Sequence, residues 1–152
     1  MSVHDILIAD AVVSLLSDAS DELPNGTIVE RRLLPIYRPS DLVVARVAVA
    51  PRMQSRTLAS RSSSKREHVV QIAPHKNAAM VDGQPSEADL AEFVGLMNAI
   101  GDAIERAAKA GTIGGATLIS MTTEPLYDIE AAKSMNVLRG VWTVMFSRLA
   151  KA

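Results

Sequence analysis

The stretch DLVVARVAVA at residues 41–50 constrains this chain more than any other. It is rich in valine, has few side chains suited to water, and is closed by Pro51. Branched residues favour extended backbone, and a strand with no polar side has both of its faces covered. The run therefore predicts a central strand, with other strands beside it. Residues 27–34 mix branched and charged side chains before Pro35, and residues 67–75 (EHVVQIAPH) resume the extended pattern. Residues 116–123 and 137–149 supply two more strands. In the last of these, Leu138, Trp142, Val144 and Phe146 share one face. Pro74 puts the end of the 67–75 strand at a sheet edge or a bulge.

Two segments carry a helical period instead. The first opens with Ser2 and Asp5 in the spacing of a capping box and ends in a turn at Asp21, Pro24, Asn25 and Gly26. Its apolar face is read as Val3, Ile6, Leu7, Val13 and Leu16, with Asp10, Ser14 and Ser17 on the polar side. After a turn at Asp82-Gly83, Ser86 and Asp89 make a second capping box that opens a helix of about 25 residues. Along it Leu90, Phe93, Val94, Met97, Ile100, Ile104 and Ala108 form a stripe, and Gly111 stops it. The order α-β-β-β-α-β-β predicts an α+β fold: a single mixed or antiparallel sheet of about five strands packed against two main helices. The 152 residues suit one domain. Its expected core is Ile6, Val13, Leu16, Val44, Val47, Val70, Ile72, Phe93, Met97, Ile104, Ile119, Trp142, Val144 and Phe146.

Charge is segregated along the chain. Residues 1–30 hold six acids and no Lys or Arg, whereas residues 31–66 hold nine bases against the single acid Asp41. Blocks of opposite sign suit the steering of a partner, or of a second copy. Within the basic block, residues 51–66 (PRMQSRTLASRSSSKR) lose all periodicity and are expected to form a long polar loop. Arg52, Arg56, Arg61, Lys65 and Arg66 are spaced along it. Such a loop suits an acidic protein surface, including a neighbouring copy, and it also suits weak phosphate contact or plain solvation. It has no aromatic residue for stacking bases, which argues against reading a nucleic-acid sequence.

Catalytic patterns are missing from the sequence. There is no cysteine, hence no disulfide framework, thiolate metal site or cysteine nucleophile. His4, His68 and His75 lack metal-ligand spacing and are assigned structural or surface roles. Asp18, Asp21 and Glu22 lack calcium-loop spacing, and the serines at 62–64 form no nucleophile elbow. GTIGG at 111–115 follows a helix rather than opening one, so it reads as a cap and turn, not a phosphate cradle. The expectation is no enzyme, no cofactor and no metal. Apolar runs are shorter than the ~18 residues of a membrane span. The first twenty residues hold acids without Lys or Arg, unlike a signal peptide. The chain is expected to be cytosolic and soluble.

Several segments taken in order carry a resemblance: VAVAPR at 47–52, SRTLASRSSSKR at 55–66, HVVQIAPHK at 68–76, GGATLISMTTEPLYD at 114–128 and VLRGVWTVMFSRL at 137–149. Together with the amphipathic first helix and the long acidic-faced second one, they resemble the tail terminator, or tail-completion, proteins of long-tailed bacteriophages. Pro74 departs from the apolar residue expected there. The resemblance implies a structural virion protein of the tail–neck region, assembled in the host cytoplasm. It would form a hexameric ring that caps the tail tube, stops its polymerisation and meets the head-completion proteins, while DNA passes through the lumen without sequence-specific binding. Arg52, Arg56, Arg61, Lys65 and Arg66 would then lie on an interface loop that orders against the tube or the adjacent subunit. Asp10, Asp18, Asp21 and Glu22 would form the complementary acidic patch, since a head-to-tail ring needs two different patches per subunit. Another neck, connector or minor tail protein is the alternative, and a nucleic-acid-binding module a more remote one.

Overall fold

A computed structural model describes residues 3–123, 128 and 136–151. The elements in chain order are α1 (Val3–Asp18), β1 (Ile28–Arg31), β2 (Arg46–Leu58), β3 (Ser63–Asn77), β4 (Met80–Val81), β5 (Gln84–Pro85), α2 (Glu87–Ala110), β6 (Thr117–Thr122), β7 (Val137–Arg139) and β8 (Trp142–Lys151). The fold is α+β, with both helices on one face of a mixed six-stranded sheet in the order β1-β2-β3-β8-β6. β1 is parallel to β2, the other pairings are antiparallel, and β7 pairs with β3 beyond the end of β8. β4 and β5 make a small separate hairpin around Asp82 and Gly83, both at positive φ, which is the turn expected there. The sequence also predicts an extended turn at 124–127 and a short helix near 129–134; these, and the expected cap at Ser2, lie outside the described residues.

Strand β2 is central, as its composition demands, but its limits differ from those expected. Residues 41–45 precede it, and Pro51 does not end it. The β1 ladder stops at Arg31↔Val49, so the missing N–H of Pro51 faces an edge that β1 has already left. A bulge between Pro51 and Met53 absorbs the irregularity. Pro74 is likewise tolerated inside the sheet rather than at its edge. It pairs with Val47 on one side. On its other side the neighbour changes from β8, ending at Ile72↔Trp142, to β7, starting at His75↔Arg139. That break splits the expected 137–149 strand in two.

The segment 51–66 is not a loop. The β2–β3 ladder runs unbroken from the bulge to Leu58↔Ser64, and β8 flanks it as far as Ser63↔Lys151. Only residues 59–62 turn, closed by Ala59 and Ser60 donating to Ser63 O, both at 3.1 Å. The segment lacks apolar periodicity because this end of the sheet packs on no core. Its order comes from backbone ladders, which leave no side-chain signature.

The main core joins Ile8, Val12 and Leu16 of α1 with Leu96, Ile100 and Ile104 of α2 over Val47, Val49, Val70, Ile72, Val144 and Phe146. Full burial of each large side chain contributes roughly 1.5–3 kcal/mol. The opposite face of the same strands is covered by Tyr37, Leu42 and Val137 over Ala48 and Ala73. Along α1 the buried line is Asp5, Ile8, Ala9, Val12 and Leu16, so Val3 and Leu7 face solvent, contrary to expectation. This helix is apolar nearly all round, and the sheet, not the period, selects its inner face. Ile119 is also exposed, turned out by a bulge between Leu118 and Ser120. α2 buries Phe93, Met97, Ile100 and Ile104 as its stripe predicts. Ser86 caps it, accepting from Asp89 N at 3.2 Å, while the Asp89 carboxylate turns to Ala79 N (2.8 Å) and Lys76 Nζ (3.0 Å).

Candidate functional site

Strand pairing decides which bases of the hairpin meet. Arg56 on β2 stands opposite Arg66 on β3, and Arg66 stands opposite Arg148 on β8. The three guanidinium side chains thus form a row across the sheet, on the face that α1 covers one step further in. Arg148 shares its face with Val144 and Phe146, and Arg66 shares its face with His68 and Val70. Like charges directly opposite one another on a sheet are destabilising. Among the described residues no ion pair includes Arg52, Arg56, Arg61, Arg66 or Arg148, and the acid that acts on the row is the buried Asp5, which favours the charge of Arg148 from the inner side. Arg148 is pushed below the usual guanidinium value, first by burial and then by the charge of Arg66. One of its nitrogens, Nη2, is buried without a hydrogen-bond partner.

The row is anchored at its inner end. His68 is fully buried, accepts from Arg148 Nε through Nε2 at 3.0 Å, and therefore donates from Nδ1 to Asp5 Oδ1 at 2.6 Å. Asp5 sits in the first turn of α1 and is itself buried, so this relay ties the helix start to β3 and β8. His4, in the same turn, is lowered from its ordinary value by desolvation and then by the positive charge of Arg148. A groove of about 680 Å³ opens alongside, lined by Asp5, Leu33, Pro51, Arg52, Gln54 and Arg56.

The remaining predicted residues are dispersed. Arg61 is in the hairpin turn, and Lys65 lies on the other sheet face, paired with Glu67 at 3.3 Å. Among the acids, Asp18 ends α1, and Asp21 and Glu22 follow in the 3₁₀ turn Ser20–Glu22. These three line one shallow hollow with Arg106, which pairs with Glu22 at 2.8 Å. Asp10 does not join them; it pairs with Arg31 at 3.4 Å. Asp5 and Asp18 are separated by most of α1, about 20 Å at helical rise. The basic row and the acidic cluster consequently occupy opposite ends of one helix.

Sequence reasoning did not single out Arg148, His68 or Asp5 for this site. The signal for Arg148 was present, since alternation in VWTVMFSRL puts it on the face of Phe146. The strand pairing that sets it beside Arg66 has no local signature. Chemically, the arrangement can grip anions at one end and cations at the other. Among the described residues no group of three or more His, Cys, Asp or Glu is placed to hold a metal.

No protein-family model matches the chain, and no curated protein matches it in sequence. Among solved structures it is similar to the sheath/tube terminator of an extracellular contractile injection system, PVC, determined by cryo-EM in the extended state. The identity is 14%, the TM-score 0.43, and the likeness covers 99% of this chain. The chain spans 58% of the length of that terminator. At this level the likeness says nothing of partners or activity.

Proposed function

We propose that this chain is a structural assembly protein that works by docking, and that it closes a tail tube as a ring of identical subunits. The observation that carries this reading is the placement of a row of arginines outside any ion pair of the described residues at one end of α1 and of clustered acids at the other. A subunit with two unlike, complementary ends is suited to a repeated head-to-tail contact, which closes into a ring when the rotation allows it. The order of segments that resembles tail terminators supports the identity of the ring. In that role the subunit stops tube growth and presents its outer surface to head-completion proteins, and DNA passes through the lumen. Arg52, Arg56, Arg61 and Arg66 are the interface residues on the basic side, and Asp18, Asp21 and Glu22 those on the acidic side.

Light scattering after size exclusion, at low and high salt, together with images of the isolated protein, tests this. Six-fold rings, or capture of a tail tube protein by the monomer, are the expected results. A protein that stays monomeric and ignores tube protein at every ionic strength refutes the proposal.

A further inference from the structure

We infer that the row Arg56–Arg66–Arg148 is the seat for the Asp18/Asp21 end of a second copy of this chain. This rests on the docking reading above and specifies its contact. The row has three properties of an anion site. Its members stand in register on three adjacent strands, which lie ~4.8 Å apart, so their positive charge is concentrated rather than spread. No ion pair among the described residues includes any of the three, and the buried Asp5 carboxylate acts only on the inner member, Arg148. The His68–Asp5 relay holds Arg148 by its Nε, with Nη2 buried, so the more open Arg56 and Arg66 offer the charge of the row to a ligand.

The acidic end matches it. Asp18 and Asp21 are exposed and form no ion pair with a described base, whereas Glu22 already holds Arg106. Asp18 and Asp21 stand on either side of the turn between α1 and the 3₁₀ segment and line the same hollow. Asp18 also sits at the C-terminal end of α1, where the helix dipole disfavours a carboxylate and no base in the last turn offsets it. A guanidinium from outside would relieve that and would form charge-assisted, two-pronged bonds. Within one subunit the two ends are separated by the length of α1, so Asp18 does not reach the row of its own chain. A second copy supplies the carboxylates by a contact between unlike patches.

Charge reversal tests the pairing. R56E/R66E and D18R/D21R change groups outside the core, and Arg148 is left intact because it holds His68. Circular dichroism and the thermal midpoint check that each variant is folded. Each variant alone is expected to self-associate roughly a hundred-fold more weakly than the parent chain. Mixed together they should co-assemble at one-to-one stoichiometry, because the native acidic end of one meets the native basic row of the other and the two reversed ends are complementary as well. A chain carrying all four changes should regain self-association. If the parent chain assembles and both variants assemble equally well, this seat is wrong while the docking reading stands. If the parent chain neither self-associates nor binds tube protein, the docking reading fails and takes this inference with it. If R56E/R66E abolishes binding to a short random-sequence DNA duplex but leaves self-association unchanged, the row binds phosphodiesters and the inference is overturned.

Discussion

His75 is buried with its ring edge against Tyr37, the centroids 5.0 Å apart at 83°, and Nδ1 donates to Ala73 O at 3.0 Å. Burial pulls its pKa down to about 4, although the bond to Ala73 works the other way; Arg139 and Arg32 add to the fall. In the unfolded chain the ring titrates near 6.5. Below that pH the unfolded state takes up a proton that the folded state refuses, so stability falls as pH drops. The contribution is intact above about 6.5 and exhausted near 4, a loss of ~3 kcal/mol across that window. Urea unfolding of His75→Phe, compared with the parent chain between pH 7 and 4, should show this slope removed. A second residue with a narrow tolerance is Gly114, at φ +59 in the turn after α2. A Cβ there would stand 2.8 Å from the Cα of Ile8, in the α1 backbone. Neither side can yield cheaply, so Gly114→Ala should destabilise by at least ~2 kcal/mol in the same assay.

Elements meet through single polar contacts as well as through the core. Asp5 joins the first turn of α1 to β3, and its removal leaves the Nδ1 hydrogen of His68 buried without that acceptor. Asp5→Ala should cost about 3 kcal/mol, and Asp5→Asn, which keeps an acceptor, noticeably less. Hydrogen exchange should then show faster opening at the start of α1 than along α2. The same contact explains what could be read in the sequence and what could not. α2 was legible because Phe93, Met97, Ile100 and Ile104 recur at a helical period with a polar back. The inner half of β2 was legible from its valines. The face of α1 was not, because Ile6, Leu7 and Ile8 are equally apolar and only the sheet distinguishes them. Nor was the outer hairpin, because Arg56, Thr57 and Ser64 are held by ladder bonds and show no buried side. An acid at position 5 reads naturally as a cap, and its role as the partner of His68 depends on a fold that brings residues 5 and 68 together.

At the scale of the whole molecule two surfaces are candidates for the proposed association. One is the charged axis just described. The other is the segment between β1 and β2, where Leu33, Leu34, Ile36 and Val43 are exposed, Val43 at 91%. They respond to salt in opposite ways. Charge attraction across solvent fades as the Debye length shrinks from ~10 Å at 0.1 M to ~3 Å at 1 M. Burial of exposed aliphatics is not weakened by sodium chloride in this manner and is strengthened by sulfate. The net charge of −1 means that global repulsion between copies is small, so the balance is set by the local ends. If the two ends of α1 provide the contact, the self-association constant should fall at least ~10-fold between 0.1 and 1 M sodium chloride. Leu34→Ser and Val43→Ser, both outside the groove beside the arginine row, should change that constant little. Sedimentation equilibrium at both salt concentrations reads the difference directly. Tighter association at 1 M salt, lost in the two serine variants, would move the interface from the ends of the helix to the 33–43 segment.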